Sequence, residues 1–168
     1  MPFTNSRGVR RVGLLPFLIF FCSLALASAA QPENQPSLKR DKCPVCGMFV
    51  DMFADWNSVI EFADGRRAVF DGAKDMFKYY LDIRKYDPLK GKSAMQAISV
   101  KDYYSKESID ARQAFFVIWS DVYGPMGHEP IPFEKEADAK KFLKEHKGKQ
   151  ILRFKNITSR VIVSLDNP

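Results

Sequence analysis

Two short segments of this chain gather side chains that can hold a soft metal ion. The first is CPVCGM at 43–48. Pro44 at the second position of a four-residue turn fixes φ, and Gly47 relieves the exit, so the turn aims the thiols of Cys43 and Cys46 at one point. If the chain leaves that turn extended, Cys46 and Met48, two apart, project to the same side. The second segment is GPMGHEP at 124–130. Glycines on either side of Met126 let the backbone bend and leave its thioether poorly packed, and His128 shares its side in an extended loop. Thiolate and thioether donors select Cu(I) over zinc, magnesium or calcium. Copper needs no carboxylate cage, and the sequence arranges none.

Other chemistries have weaker support. A lone CxxC in an exported chain is as readily a plain disulfide. A thioredoxin-like dithiol requires a preceding strand and a helix N-terminus that lowers the thiol pKa. Here a polar stretch precedes Cys43 and Gly-Met-Phe-Val follows Cys46. A thiol-disulfide oxidoreductase, or another thiol-dependent enzyme using Cys43 and Cys46, is therefore the alternative rather than the first reading. No Ser/His/Asp set and no phosphate loop is present, which favours a protein that is not an enzyme. Zinc sites usually take two CxxC pairs or paired histidines. His146 falls on the apolar stripe of an expected helix and reads as structural, as do Met52 and Met76. Glu129, beside His128, either orients that imidazole as a supporting group or faces solvent. Asp51 reads as an exposed loop acid.

The start of the chain sets the compartment. Arg7, Arg10 and Arg11 precede an apolar run over 12–27 that ends in Ser28-Ala29-Ala30, the pattern of a secretory signal peptide over 1–30. An uncleaved membrane anchor is the alternative, since 14–30 is only just long enough to span a bilayer. Phe20-Phe21 before Cys22 is too bulky for lipidation there. Residues 31–42 are polar and proline-containing and read as a flexible tether, leaving a metal-binding domain over 43–168. The whole chain has 168 residues, 46% of them hydrophobic and 14 of them Phe. That is enough for one well-filled core, and it excludes disorder, collagen and coiled coil. Beyond the signal the net charge is only near +3, because three of the 26 basic residues lie in the first eleven positions and no acid precedes Glu33. No basic stripe interleaves with aromatics, so nucleic acid is excluded as a partner.

These segments must be positioned by an α+β fold. Residues 58–62 and 67–70 read as strands around Asp64-Gly65, a hairpin signal. Asp71 is placed to cap a helix over 72–86, and 95–100 reads as a strand. Residues 101–112 are polar and read as a long loop. The uniformly apolar 114–119 reads as a strand buried on both faces. A helix over 134–147 ends where Gly148 can supply a left-handed cap, and strands over 150–154 and 161–165 close the chain. The expected architecture is small mixed sheets with two helices, in which a ββαβ order is drawn once over 58–100 and again over 114–154.

At these residues the sequence also resembles the NosL family. The segments CPVCGM, AFFVIWS at 114–120, GPMGHEPIPF at 124–133 and AKKFLKEHKGKQILRF at 139–154 carry the resemblance, which spans about 43–154. It implies a periplasmic Cu(I)-binding protein with a fold akin to that of the organomercurial lyase. Such a protein is a metallochaperone that delivers copper for assembly of the copper centres of nitrous oxide reductase. Similar domains also serve other exported copper proteins, and membrane copper-assembly components are further expected partners. Matching positions name Cys46, Met48, Met126 and His128 as ligand candidates. Cys43 belongs to a variant pattern, because CGM with a single cysteine also occurs in the family. Family members are commonly lipoproteins anchored at the signal cleavage site, and this chain has no cysteine there.

Overall fold

The computed structural model describes residues 40–89 and 91–166, so the expected signal peptide and most of the tether lie outside the described residues. Order is already present before Cys43. Arg40 pairs with Asp51 at 2.7 Å, both partly exposed, and Lys42 bridges Phe49. Two short 3₁₀ turns over Val50–Trp56, kinked at Phe53, lead into the first sheet.

The first half is a hairpin followed by a crossover. β1 (Ser58–Phe62) and β2 (Arg67–Phe70) pair antiparallel, from Ser58↔Phe70 to Glu61↔Arg67. α1 (Ala73–Leu81) and α2 (Ile83–Tyr86) come next, and β3 (Met95–Lys101) returns antiparallel to the other side of β1. β2 and β3 therefore run parallel to each other, with the helices as the long connection that parallel strands need. β4 (Ser108–Asp110) pairs outside β3 and gives the order β2-β1-β3-β4.

The second half repeats this plan. β5 (Phe115–Ile118) is central. A two-residue pair, β6 (Tyr123–Gly124) and β7 (Gly127–His128), interrupts the path to β8 (Ile131–Phe133). α3 (Glu136–Glu145) then leads to β9 (Gln150–Arg153), and the sheet order is β8-β5-β9, antiparallel throughout. The orders β2-β1-β3 and β8-β5-β9 are equivalent, so the doubled ββαβ arrangement is the architecture. β5 is the hub. Phe116 and Ile118 enter the larger core with Phe70, Met76, Phe77 and Ile98, while Val117 points the other way to Ile131, Phe133, Ala139 and Phe142. Each such buried aromatic or branched side chain contributes about 1.5–3 kcal/mol by leaving water.

Several details differ from the sequence expectation. Every strand pair among the described residues is antiparallel, so the sheets are not mixed. The helix over 72–86 breaks at Asp82, where φ is −133° and ψ 62°. Asp71 does not cap it: Gly72 holds that position, and the capping oxygen comes from a distant segment. The loop over 101–112 contains β4, a short edge strand whose polar character hid it. Most consequentially, 161–165 is not a strand but part of α4 (Ser159–Asp166). Thr158 Oγ1 accepts the Val161 N–H at 3.4 Å to start the helix, and Ile162 and Leu165 bury into the main core while α4 packs on α1. Burial on that face overrides the β-branched preference of Val161, Ile162 and Val163. Among the described residues there are four α-helices instead of two.

At the end of α3 the left-handed residue is Lys147, with φ 54°, one position before Gly148. The Gly148 N–H donates to Leu143 O at 2.9 Å, closing the six-residue C-terminal motif. Gly148 is needed for room: a Cβ there would lie 2.5 Å from Val117 Cγ1. Gly148→Ala should therefore cost about 1–3 kcal/mol by overpacking, read as a lower urea midpoint. Lys147→Gly should raise that midpoint, because it relieves the left-handed strain.

Candidate metal centre

The CPVCGM turn closes on itself through its backbone. Cys43 N–H donates to Met48 O at 2.9 Å, and Gly47 N–H donates to Cys43 O at 2.9 Å. Gly47 sits at φ 81° with open space around it, so glycine is required there for its dihedral. The chain consequently does not leave the turn extended, and the alternation that would align the Met48 side chain with Cys46 does not apply. What Met48 presents to Cys46 is its backbone N–H, which faces the thiol. Both cysteines are free thiols, Cys43 buried and Cys46 half-buried.

The start of α1 brings two carboxylates to these thiols. Asp71 ends the β2 approach and Asp75 lies in the first turn of α1, and both are fully buried. One donor atom from each of Cys43, Cys46, Asp71 and Asp75 lies within 4.8 Å of all the others. The Cys43 thiol donates to Asp75 Oδ2 at 3.4 Å. Neither oxygen of Asp71 has a hydrogen-bond partner of ordinary geometry among the described residues. The reading that no carboxylates accompany the thiols is thus corrected. From its neighbours Asp71 reads as a helix cap, and nothing local to 43–48 marks two acids some thirty residues on. The available signal was their i, i+4 spacing at a helix start.

Burial governs the protonation of this cluster. It pushes the Cys43 thiol well above its ordinary value, against the opposing backbone N–H groups of Cys46 and Val45 and with the help of the Asp71 carboxylate. It pushes Cys46 up to about 11, partly offset by the Met48 N–H and raised further by Asp75. Asp75 is also raised, first by burial and then by the charge of Asp71, while thiol hydrogen bonds pull it back. Without a cation both thiols are therefore neutral at pH 7.

Met126 reaches the same place from the second segment. Cys46, Asp75 and Met126 line one open cleft of about 570 Å³, whose far wall is Ile162, Val163 and Asp166 of α4. The Met126 backbone is held at both ends. Its N–H donates to Glu129 Oε1 at 3.4 Å and its carbonyl accepts the Lys74 ammonium. Lys74 is itself buried and pairs with Asp166 at 3.0 Å. Glu129 Oε2 accepts the Lys74 backbone N–H at 2.7 Å, so Glu129 caps α1 from 55 residues away. Glu129 accordingly neither faces solvent nor hydrogen-bonds His128. Gly124, read from sequence as a source of bending, supplies space instead, since a Cβ there would meet Glu129 Cγ at 2.5 Å and Trp56 at 3.0 Å.

The remaining ligand candidates stand apart from this group. Met48 is half-buried and is not among the residues lining the cleft. His128 lies outside the four-donor cluster, its ring 4.6 Å from Tyr123 and 5.4 Å from Trp119 between centroids. Its Nδ1 is buried without a hydrogen-bond partner among the described residues, which leaves a nitrogen able to bind a metal. His146 packs against Phe142, ring centroids 4.3 Å apart, with Nδ1 3.2 Å from Asp121.

The NosL family model matches residues 35–162. Among solved structures, the crystal structure of the copper chaperone NosL from Shewanella denitrificans is similar at a TM-score of 0.59 and 24% identity, covering 71% of this chain and 90% of that one. The solution structure of apo-NosL from Achromobacter cycloclastes has a TM-score of 0.45 and 23% identity, covering 62% of this chain and 87% of that one. The first likeness shows a shared fold. No curated protein matches the chain.

Complete burial raises the Glu129 carboxyl from 4.5 to about 8, against the Lys74 N–H and ammonium that favour its charge. Between those values the folded protein holds a proton that the unfolded chain has released. The linkage therefore lowers stability as pH rises from about 4.5 to about 8. Glu129→Gln, which cannot ionise, should flatten this part of the stability profile. Urea unfolding of both proteins across that range checks it, and an unchanged slope would count against the buried-acid assignment.

Proposed function

The chain belongs to the NosL family, and from that premise we propose that it is a metallochaperone, carrying Cu(I) as cargo and passing it to a copper protein without turnover. Nitrous oxide reductase is the acceptor we name first, with another exported copper protein as the alternative and membrane copper-assembly components as intermediaries. The basic and apolar residues 1–30 support export, and we place the protein in the periplasm, either freed by cleavage or held by an uncleaved anchor.

The observation that carries this reading is the meeting of Cys46 and Met126, eighty positions apart, on one open cleft beside buried Cys43. Cu(I) is satisfied by two to four soft donors, and thiolate with thioether is such a set. We assign Cys46, Cys43 and Met126 as its core, with the unpartnered Nδ1 of His128 as the nitrogen donor beside Met126 and Met48 as the outermost candidate. Because the cleft is open and its donors sit on a turn and a loop, an acceptor's ligands can enter and take the ion by exchange.

The oxidoreductase alternative fares worse on the same residues. A redox-active dithiol works through a lowered thiol pKa, whereas burial raises both thiols here. The Met48 N–H offsets that only in part at Cys46.

Reduced protein should bind one equivalent of Cu(I) in competition with a chromophoric Cu(I) chelator, and Cys46→Ser should abolish this binding. Met126→Ala should weaken it about tenfold or more without moving the apo melting temperature, because the loop is held by the Met126 backbone and not by its side chain. Since each bound thiolate must first lose a proton, apparent affinity should rise by about one power of ten per pH unit for each cysteine used, from pH 6 to 9. A slope near two makes Cys43 a ligand and a slope near one leaves Cys46 alone. Affinity independent of pH would contradict thiolate coordination.

A further inference from the structure

Away from the metal cleft, three cations converge on a cavity that no acid neutralises. Arg112, Arg153 and Lys155, with the rings of Tyr80 and Phe154, line this open cavity of about 460 Å³. The two guanidiniums are positioned by contacts other than ion pairs. Arg112 donates to the carbonyls of Gln96 at 3.1 Å and Met95 at 3.3 Å. Arg153 lies over the Phe115 ring, 4.0 Å from its centroid. Lys92, 4.6 Å above the centroid of the Tyr80 ring, adds a fourth positive charge beside the cavity wall. Asp110 accepts the Arg112 backbone N–H at 2.9 Å and, with Glu134, lines a neighbouring cavity that shares only Arg153 with this one. No carboxylate of the described residues forms an ion pair with any of the four cations, whereas Arg40, Arg66 and Arg67 each have one. Like charges held together without a counter-ion repel one another and focus a positive potential into the cavity, which an anion relieves.

We propose that this cavity binds the phosphate group of a small anionic ligand. Planar guanidinium forks meet phosphate oxygens two at a time, and an ammonium adds a point charge. A dianion also matches three converging cations better than a monocarboxylate does. The Tyr80 and Phe154 rings, 4.9 Å apart at their centroids, supply an apolar wall for the organic part of the ligand. A free phosphate compound and a phospholipid headgroup share this chemistry. The cavity is independent of the metal cleft. The two share no lining residue, and Tyr80 leaves α1 on a different face from Asp75, Lys78 and Leu81, which line the cleft. A phosphate held here binds alongside copper and not in its place.

The test titrates the full chain, reduced and metal-free, with inorganic phosphate, glycerol 3-phosphate and a short-chain phosphatidylglycerol below its micelle concentration. Acetate at equal ionic strength is the control, and the arginine Nε–H signals are followed by NMR. A phosphate probe should saturate, shift the signals of Arg112 and Arg153, and bind more weakly as NaCl is raised. Arg112→Gln should lower its affinity by about tenfold or more, and Lys155→Gln by about threefold. Both should leave Cu(I) affinity within about twofold, because the two sites are separate. Arg112 also holds two carbonyls, so apo melting curves establish whether its variant folds, and the exposed Lys155→Gln decides alone if it does not. Saturation by glycerol 3-phosphate without the lipid makes the ligand a soluble phosphate, saturation by the lipid makes it a headgroup, and either upholds the site. No saturation by any phosphate probe, equal shifts with acetate, or unchanged affinity in the folded variants would overturn the proposal.

Discussion

The buried carboxylate of Glu129, set against the first turn of α1, is the contact on which the arrangement depends. Through Oε2 it caps the Lys74 N–H, and through Oε1 it holds the Met126 N–H. Lys74 completes the tie by giving its ammonium to the Met126 carbonyl and to Asp166 of α4. One pair of residues thus fixes the loop from the second half of the chain onto the helix that presents Asp75, just after Asp71, and onto α4. A helix cap contributes about 1 kcal/mol and a hydrogen bond to a charged group about 1.5–3 kcal/mol. Removing the Glu129 carboxyl would leave the Lys74 and Met126 N–H groups without their acceptor, and a buried donor left unsatisfied costs about 1–3 kcal/mol. Gly72 and Gly124 are the spatial price of this contact, since a Cβ at either position would press on Glu129.

This constraint shapes the chemistry. The Met126 side chain takes no part in holding its own loop, so it is free to face the cleft, and the same elements that bring it there also bury Cys43. Burial keeps both thiols protonated until a metal displaces their protons. A dithiol of that kind resists adventitious reaction as a nucleophile, since the thiolate is the reactive form. It also couples metal affinity to pH, as expected of a protein that must both hold an ion and let it go. Cys46, less buried than Cys43 and shared by the cleft and the carboxylate cluster, is where the two kinds of donor meet.

What was legible in the sequence was local. The CPVCGM turn, the hairpin over 58–70, the buried strand at 115–118 and the doubled ββαβ order all follow from short-range patterns of turn residues and apolar periodicity. α4 was not legible, because Val161, Ile162 and Val163 carry a strand preference that only burial on α1 overrides. The carboxylates were missed for a related reason: Asp71 looks like a cap from its neighbours, and the cap is supplied by Glu129 from another part of the chain. Gly124 and Gly148 show the same limit, since each reads as conformational freedom and each is needed for clearance from a side chain distant in sequence. The soft-ligand segments could be named from residue types, but only the fold placed Met126 at the cleft with Cys46 and set the His128 ring against Tyr123.

The central claim is that sulfur donors from the turn and from the loop bind one ion together. X-ray absorption at the copper edge of the Cu(I)-loaded protein, compared with its Met126→Ala variant, tests that most directly. The account predicts an edge typical of Cu(I) and a first shell dominated by sulfur that loses one sulfur scatterer in the variant. A shell of nitrogen and oxygen, or a sulfur shell that the substitution leaves unchanged, would contradict it.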